Sequence, residues 1–158
     1  MEGRLESLIM SYYNLLGEYS LENEKTEKAA LCFAGVSAYD ESGKWDSTLA
    51  YICHAKGLTK EALEYYKKAA AKGAATPSLY VNMGAIQLSD GQIEPARTSY
   101  LTAISIAPDD IQAHYNLAVL YWKQSNWPEV VKEFRKVIEL DPANQQAKHY
   151  LEEAVKHN

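Results

Sequence analysis

The sequence has only two cysteines and no long apolar run. Cys32 and Cys53 are too few for a disulfide framework and match no metal-ligand spacing, so we expect buried free thiols. No stretch approaches the roughly 20 apolar residues that cross a bilayer, and the first residues, MEGRLES, carry acids where a signal peptide carries bases. These absences predict a cytoplasmic protein without direct membrane insertion. They leave open that the chain is a soluble fragment of a larger or membrane-anchored protein.

The sequence also lacks an excess of positive charge. Its formal net charge is −5, which offers no general attraction to nucleic acid or to an anionic membrane. The charge is uneven, because residues 43–76 carry six Lys and three acids between two acidic segments. Such a basic band either forms a solvated outer surface or steers a charged partner. The expected partner is therefore a protein or peptide and not a nucleic acid.

Catalytic motifs are missing as well. No glycine-rich phosphate loop follows a strand pattern, and the four His show no His-Glu-x-x-His spacing and no nearby Cys pair. Adjacent acids such as Asp109 and Asp110 stand at predicted helix ends, where carboxylates usually cap helices or remain solvated. We therefore expect no enzyme, no cofactor and no metal site.

Self-similarity with a period of about 34 residues runs through the chain. The segment YNLLGEY at 13–19 returns as YNLAVLY at 115–121, three periods later. Each half of the repeat spaces its apolar residues by three and four, as amphipathic helices do, and Gly or Pro separates the halves and the units. The recurring positions are a turn residue (Gly57, Gly91, Ser125), a small or aliphatic residue (Ala62, Ala96, Val130), an aromatic residue (Tyr66, Tyr100, Phe134) and a closing residue (Ala74, Pro108, Pro142).

This pattern resembles the tetratricopeptide repeat, in which Trp-x2-Leu-Gly-x2-Tyr is followed by Ala-x3-Phe and Pro over about 34 residues. The copy at 111–142 matches best, with Leu117, Ala118, Tyr121, Phe134 and Pro142. Residues 77–110 match with Gln87 in place of an aromatic residue, and residues 43–76 match with Cys53 there and no closing Pro.

The first copy, at about 9–42, is divergent. Its leading helix is read in register through Asn14, Leu15 and Leu16, and its second helix carries Phe33 one residue late, so we expect an added residue in the turn. A polar helix at 144–157 would cap the array. The resemblance implies an all-α fold, a single TPR-type α-solenoid domain over 1–158 with four helix-turn-helix repeats, a C-terminal capping helix and a right-handed superhelix.

One position of each leading helix stands out. The residue before the core Leu or Met is Asn14, Thr48, Asn82 or Asn116. The family resemblance implies that leading helices line a concave groove, where an Asn at this position bonds the backbone of an extended peptide. An amide both donates and accepts, as a main chain requires. The alternative is that these residues belong to the repeat consensus and bond a neighbouring helix or water.

Further residues on the same helix faces complete the predicted peptide-binding groove: Tyr13, Tyr51, His54, Leu88, Tyr115, Trp122 and Lys123. Aromatic residues with a few polar groups are typical of peptide hot spots, although such rings also pack between repeats. Co-chaperones of the family grip a C-terminal carboxylate with Lys and Arg beside the Asn. In this sequence the residue before Asn14, Thr48, Asn82 or Asn116 is Tyr13, Ser47, Val81 or Tyr115, which are all uncharged, so no carboxylate clamp is expected.

The sequence thus predicts a non-catalytic scaffold or adaptor that binds a partner peptide or helix in the concave groove. Two alternatives stay open. One is a bacterial secretion-type chaperone, since small acidic proteins of this family keep translocators soluble. The other is a self-assembling scaffold subunit, whose repeats would stack from chain to chain.

Overall fold

The computed structural model describes residues 11, 15–18, 20 and 26–157. Residues 15–18 are helical, and eight further helices follow, with no strand in this described part of the chain. The all-α prediction and the helix-turn-helix pattern are therefore confirmed. The helices are α1 (Thr26–Ser37), α2 (Lys44–Ala55), α3 (Thr59–Ala71), α4 (Pro77–Ser89), α5 (Ile93–Ile106), α6 (Ile111–Lys123), α7 (Trp127–Leu140) and α8 (Gln145–Val155).

The turn inside each of the last three repeats is built in the same way. Gly57, Gly91 and Ser125 all have positive φ, at 75°, 74° and 54°. The residue after each of them donates its backbone N–H to a carbonyl five residues earlier, as from Leu58 to Cys53 at 2.9 Å. This is the Schellman helix end, which requires a left-handed residue and therefore favours glycine.

The starts of the leading helices follow the same period. Thr76, Asp110 and Asn144 each accept a hydrogen bond from the backbone N–H three residues on, at 3.2, 2.8 and 2.9 Å. These are N-caps, and they satisfy donors that a helix start leaves unpaired. The boundaries of α4, α6 and α8 are thus set by single polar residues one repeat apart.

The chain divides into two compact units, Met1–Ala75 and Thr76–Asn158, at the boundary between the second and third repeats. In the first unit α2 packs against α1 and α3. Its core is formed by Ala29, Phe33, Val36, Trp45, Leu49 and Ile52, with the Phe33 and Trp45 rings stacked 4.6 Å apart.

In the second unit each helix packs against the next from α4 to α8, and α4 also contacts α6. The interior holds small residues at the closest approaches, such as Ala96, Ala103, Ala113 and Ala118, each 0% exposed. Large side chains such as Tyr100 and Phe134 fill the space between them. None of the helices in the described part is long and apolar enough to cross a membrane.

Glycine contacts correct the register of the first repeat. A Cβ at Gly17 would lie 2.4 Å from the Phe33 ring, and a Cβ at Gly84 would lie 2.5 Å from the Tyr100 ring. Both pairs are separated by sixteen residues, so the turn of the first repeat has gained none, and the predicted insertion there is wrong. Gly17 itself stands one residue later than the 34-residue period predicts from Gly84. Leu15, and not Asn14, is therefore at the position equivalent to Asn82.

Two buried polar clusters join the end of one repeat to the start of the next. Asp46, 0% exposed, accepts hydrogen bonds from Ser37 Oγ at 2.7 Å and Lys72 Nζ at 2.6 Å. His114, at the equivalent position two repeats later, places Nδ1 2.6 Å from Glu133 Oε2 and Nε2 2.9 Å from the Pro108 carbonyl oxygen. A carbonyl oxygen only accepts, so Nε2 is the donor there.

Candidate functional site

Asn82 and Asn116 occupy equivalent positions on α4 and α6, two helices that contact each other within the second unit. Both side chains are half-buried. Neither amide has a hydrogen-bond partner within the described part of the chain, and neither is among the buried unpaired polar atoms there. Two amides with unused donors and acceptors, open to solvent, are therefore presented one repeat apart.

The core explains why these amides lie at the edge of the buried face. The next residue along each helix is buried, Met83 at 8% exposure and Leu117 at 1%. The residue after that is Gly84 or Ala118, which is buried in the helix pair. Because consecutive helical residues are rotated by about 100°, the Asn one step earlier stands at the rim of the interior.

Thr48 and Asn14, which the sequence places at the positions equivalent to Asn82 and Asn116, differ from these two residues. The Thr48 hydroxyl donates to the Lys44 carbonyl oxygen of its own helix at 3.1 Å, so its hydrogen is already used. Tyr13 and Asn14 lie outside the described residues. Leu15, which takes the equivalent position in the corrected register, is 69% exposed and has no side-chain amide. Within the first unit, Tyr51 is 66% exposed and His54 is half-buried, and both lie on α2.

The predicted aromatic contacts at Tyr115 and Trp122 are partly used within the chain. The Tyr115 ring lies 6.4 Å from the Tyr150 ring on α8, and the Trp122 ring lies 5.5 Å from it. Burial, with the nearby Tyr150 hydroxyl, raises the pKa of Tyr115. The Tyr115 ring also lies 5.5 Å from the Phe134 ring, and the Trp122 ring lies 5.1 Å from the Trp127 ring. Both α7 and α8 therefore contact these side chains, which stay half-buried.

Two further residues of the predicted groove lie near the ends of α4 and α6. Leu88 is half-buried against the cluster of Ala96, Tyr100, Leu117 and Leu120. Lys123, at the end of α6, is exposed and forms no ion pair among the described residues. Leu88 therefore offers an apolar edge at the end of α4, and Lys123 adds a cation at the end of α6.

The face of α4 and α6 is almost free of charge. The segment 77–89 contains no charged residue, and 111–122 contains none apart from His114, which is buried against Glu133. In the described part of the chain no group of three His, Cys, Asp or Glu side chains could hold a metal ion. The arrangement can form hydrogen bonds and apolar contacts.

Sequence reasoning missed the role of Tyr150. Its ring stacks on Phe134 at 5.5 Å and lies beside Tyr115 and Trp122. The available signal was its register, because Tyr150 stands one repeat length after Asn116. The last helix therefore continues the row of leading helices with a ring in place of an amide.

Comparison with known proteins agrees with the repeat pattern. A model described as TPR repeat matches residues 86–125, and two models described as tetratricopeptide repeat match 111–144 and 47–71. Together they cover just over half of the chain. A human protein, Protein O-mannosyl-transferase TMTC2, is 32% identical over 72 residues, which are 46% of this chain and 9% of that protein.

Several solved structures share the fold at low sequence identity. MamA matches with a TM-score of 0.81 and 18% identity, covering 94% of this chain and 87% of its own. YrrB, described as a TPR protein with an unusual peptide-binding site, gives 0.79 and 18% over 94% and 75%. The first TPR of Spaghetti (RPAP3), bound to the HSP90 peptide SRMEEVD, gives 0.68 and 17% over 73% and 91%. With these matches added to the repeated caps, turns and helix pairs, the chain belongs to the tetratricopeptide repeat family.

Proposed function

We propose that this chain is a non-catalytic interaction scaffold that holds an extended segment of a partner protein against α4 and α6. The observation that carries the proposal is the pair of solvent-open amides at Asn82 and Asn116, which lack partners within the described part of the chain. An amide left free at the rim of a core gains from binding a main chain, which offers both donors and acceptors.

The spacing of the two amides suits an extended chain. Packed helices lie about 8–10 Å apart, and an extended peptide advances about 3.3–3.6 Å per residue. Amides on neighbouring helices would therefore engage peptide groups about three residues apart. Leu88 and the open sides of Tyr115 and Trp122 supply apolar and aromatic contacts on the same helices, as peptide hot spots do.

The chemistry of the face favours an uncharged segment. The peptide SRMEEVD held by the Spaghetti domain contains three acids, whereas the residues before the two amides here are Val81 and Tyr115. Lys123 is the single Lys or Arg on α4 and α6. Binding that rests on hydrogen bonds and apolar contact is expected to change by no more than about twofold when salt rises from about 0.05 M to about 1 M.

The test uses the full chain. Peptides selected from a random library on the wild-type protein are titrated against Asn82→Ala combined with Asn116→Ala. Loss of two hydrogen bonds of about 0.5–1.5 kcal/mol each should weaken binding by about 5- to 150-fold. The melting temperature should stay within about 1 °C, because solvent-open polar groups add little to stability.

The chain supplies a matched control. Gln92 and Asn126 are also amides spaced by one repeat, both are exposed, and neither side chain caps its helix. Replacing both with Ala should leave peptide binding unchanged. Equal weakening in the two double variants, or none in the first, would remove the proposed role of Asn82 and Asn116.

A further inference from the structure

The outer surface of α1 is exposed and apolar. We define the α1 outer face as Leu31, Ala34, Gly35, Ala38 and Tyr39, all of which are exposed. Leu31 is 76% exposed and Tyr39 is 63% exposed. The helical turn continues beyond Ser37, since the backbone N–H groups of Tyr39 and Asp40 both donate to the Val36 carbonyl oxygen at 2.9 and 3.1 Å. The five residues therefore share one continuous helical surface.

The repeats provide an internal comparison for this surface. The equivalent positions on α3 and α7 lie one and three repeats later, in the register fixed by Gly17 and Phe33. Four of the five positions carry a charge in each of those helices, and the α1 outer face carries none. The equivalent surface of α5 is also uncharged, but it has Thr102 in place of Gly35. The equivalent residues are Glu64, Lys67, Lys68, Ala71 and Lys72 on or just after α3, and Lys132, Arg135, Lys136, Glu139 and Leu140 on α7.

Gly35 has no role within the described part of the chain. Gly43, Gly57, Gly73 and Gly91 have positive φ, and Gly17 and Gly84 lie against aromatic rings. A Cβ at Gly35 would meet nothing within 4 Å, and its φ is not positive. A glycine inside a helix costs about 0.5–1 kcal/mol relative to Ala. Close approach of another backbone would explain its use at an exposed site.

We propose that the α1 outer face is the contact surface between two copies of this chain, with the two α1 helices antiparallel and crossing at Gly35. Leu31 lies four residues before Gly35 and Tyr39 four residues after it. A two-fold axis at Gly35 therefore brings Leu31 of one copy against Tyr39 of the other. Ala34, Gly35 and Ala38 lie between them and allow the backbones to approach.

The charges at the rim favour a second copy as the occupant. Lys28 lies seven residues before Gly35, and Glu41 lies six residues after it. Both are exposed, and neither takes part in an ion pair with another described residue. Antiparallel pairing places Lys28 of each copy near Glu41 of the other, which gives two opposite-charge contacts. A parallel pairing would put like charges together.

The size of the surface predicts a weak dimer. One helix face buries less than the roughly 800 Å² per partner of a standard stable interface. The average mass from sedimentation equilibrium should therefore rise from monomer towards dimer between about 10 µM and about 1 mM protein. A mass that stays at the monomer value over this range overturns the proposal, and it does so even if an unrelated partner is found to bind this face.

Variants locate the contact. Leu31→Glu should weaken dimerisation by more than about tenfold, because it places two charges in an apolar contact. The matched control is Leu101→Glu, since Leu101 is 46% exposed on α5 at the position equivalent to Ala34. It should leave the dimer unchanged. Equal effects of the two variants, or a dimer that persists in Leu31→Glu, refute the contact at α1.

Gly35→Ala and a charge exchange test the geometry. Gly35→Ala should raise the melting temperature of dilute protein, because Ala favours the helix, and weaken dimerisation by at least about fivefold, because the backbones can no longer approach. Lys28→Glu alone should weaken the dimer by about two- to fivefold, and Lys28→Glu with Glu41→Lys should restore it. Failure of the exchange to restore the dimer refutes the antiparallel arrangement.

Discussion

Replacing Gly84 with alanine is expected to destabilise the second unit, although the same change usually strengthens a helix. The new Cβ would lie 2.5, 2.7 and 2.9 Å from three atoms of the Tyr100 ring. Ordinary van der Waals contact begins at 3.4 Å, so the ring would have to move by about 1 Å. Tyr100 is 1% exposed and packed against Ala96, Leu117 and Leu120, which leaves it no room.

The magnitude is the difference between two opposing effects. Overpacking of a buried site costs about 1–3 kcal/mol, and removal of a mid-helix glycine contributes about 0.5–1 kcal/mol. The net loss is therefore about 0–2.5 kcal/mol, with a central value of about 1 kcal/mol. For a unit of this size each kcal/mol shifts the melting temperature by about 4–8 °C, which circular dichroism measures easily in thermal and urea unfolding.

Two comparisons make the result decisive. Gly35→Ala in dilute protein is the same substitution at a site where the new Cβ contacts nothing. It should raise the free energy of unfolding by about 0.5–1 kcal/mol. In a Tyr100→Leu background the ring is absent, so Gly84→Ala should lose most of its cost, as a double-mutant cycle would show. If Gly84→Ala stabilises the protein as Gly35→Ala does, the Tyr100 ring is not fixed against α4.

Three further changes test other features by thermal melting or light scattering. Ser125→Gly should stabilise by about 1 kcal/mol, because Ser125 has φ 54° where the two equivalent turns use Gly; no gain would mean that the turn is unstrained. Asp40→Asn should cost about 1 kcal/mol at neutral pH. Burial opposes ionisation of Asp40, but hydrogen bonds from Ser42 and Trp45 hold its pKa below the usual 3.8. Its stabilisation is therefore present above about pH 4 and lost as the pH falls through the lowered pKa, so a loss that persists unchanged at about pH 2 would contradict this role. Deletion from Asn144 onward removes Tyr150 and exposes the apolar face of α7, so the truncated chain should scatter light at concentrations where the full chain does not.

The sequence predicted the helix pairs well because local chemistry determines their ends. Left-handed glycines and N-cap side chains recur once per repeat. The register of the first repeat could not be predicted from matching letters. The match of YNLLGEY to YNLAVLY aligned Leu16 with small core residues, whereas packing requires a residue without a side chain opposite the Phe33 ring, and Gly17 is that residue.

The candidate site was predictable in part. The helical period placed Asn82 and Asn116 on neighbouring helices. It could not show that Trp122 and Tyr115 share a ring contact with Tyr150, because the packing angle of the last helix depends on tertiary contacts. Nor could it pair Asp46 with Lys72, since they lie far apart in the sequence and many lysines are available.

The buried clusters at Asp46 and His114 have a consequence for how such a chain can evolve. Repeat arrays grow and shrink by duplication, deletion and exchange of units. Here each buried ion pair lies inside one repeat, at Asp46 in the second repeat and at His114 in the fourth. A transplanted repeat would therefore carry both halves of its pair and avoid the cost of about 3–5 kcal/mol that an uncompensated buried charge brings. It would lose only the hydrogen bonds across its junction, which include one from the Ser37 hydroxyl in one case and one to the Pro108 backbone carbonyl in the other. The second repeat is thus tied to its neighbour partly by a side chain, whereas the fourth is tied by a backbone group that every repeat offers.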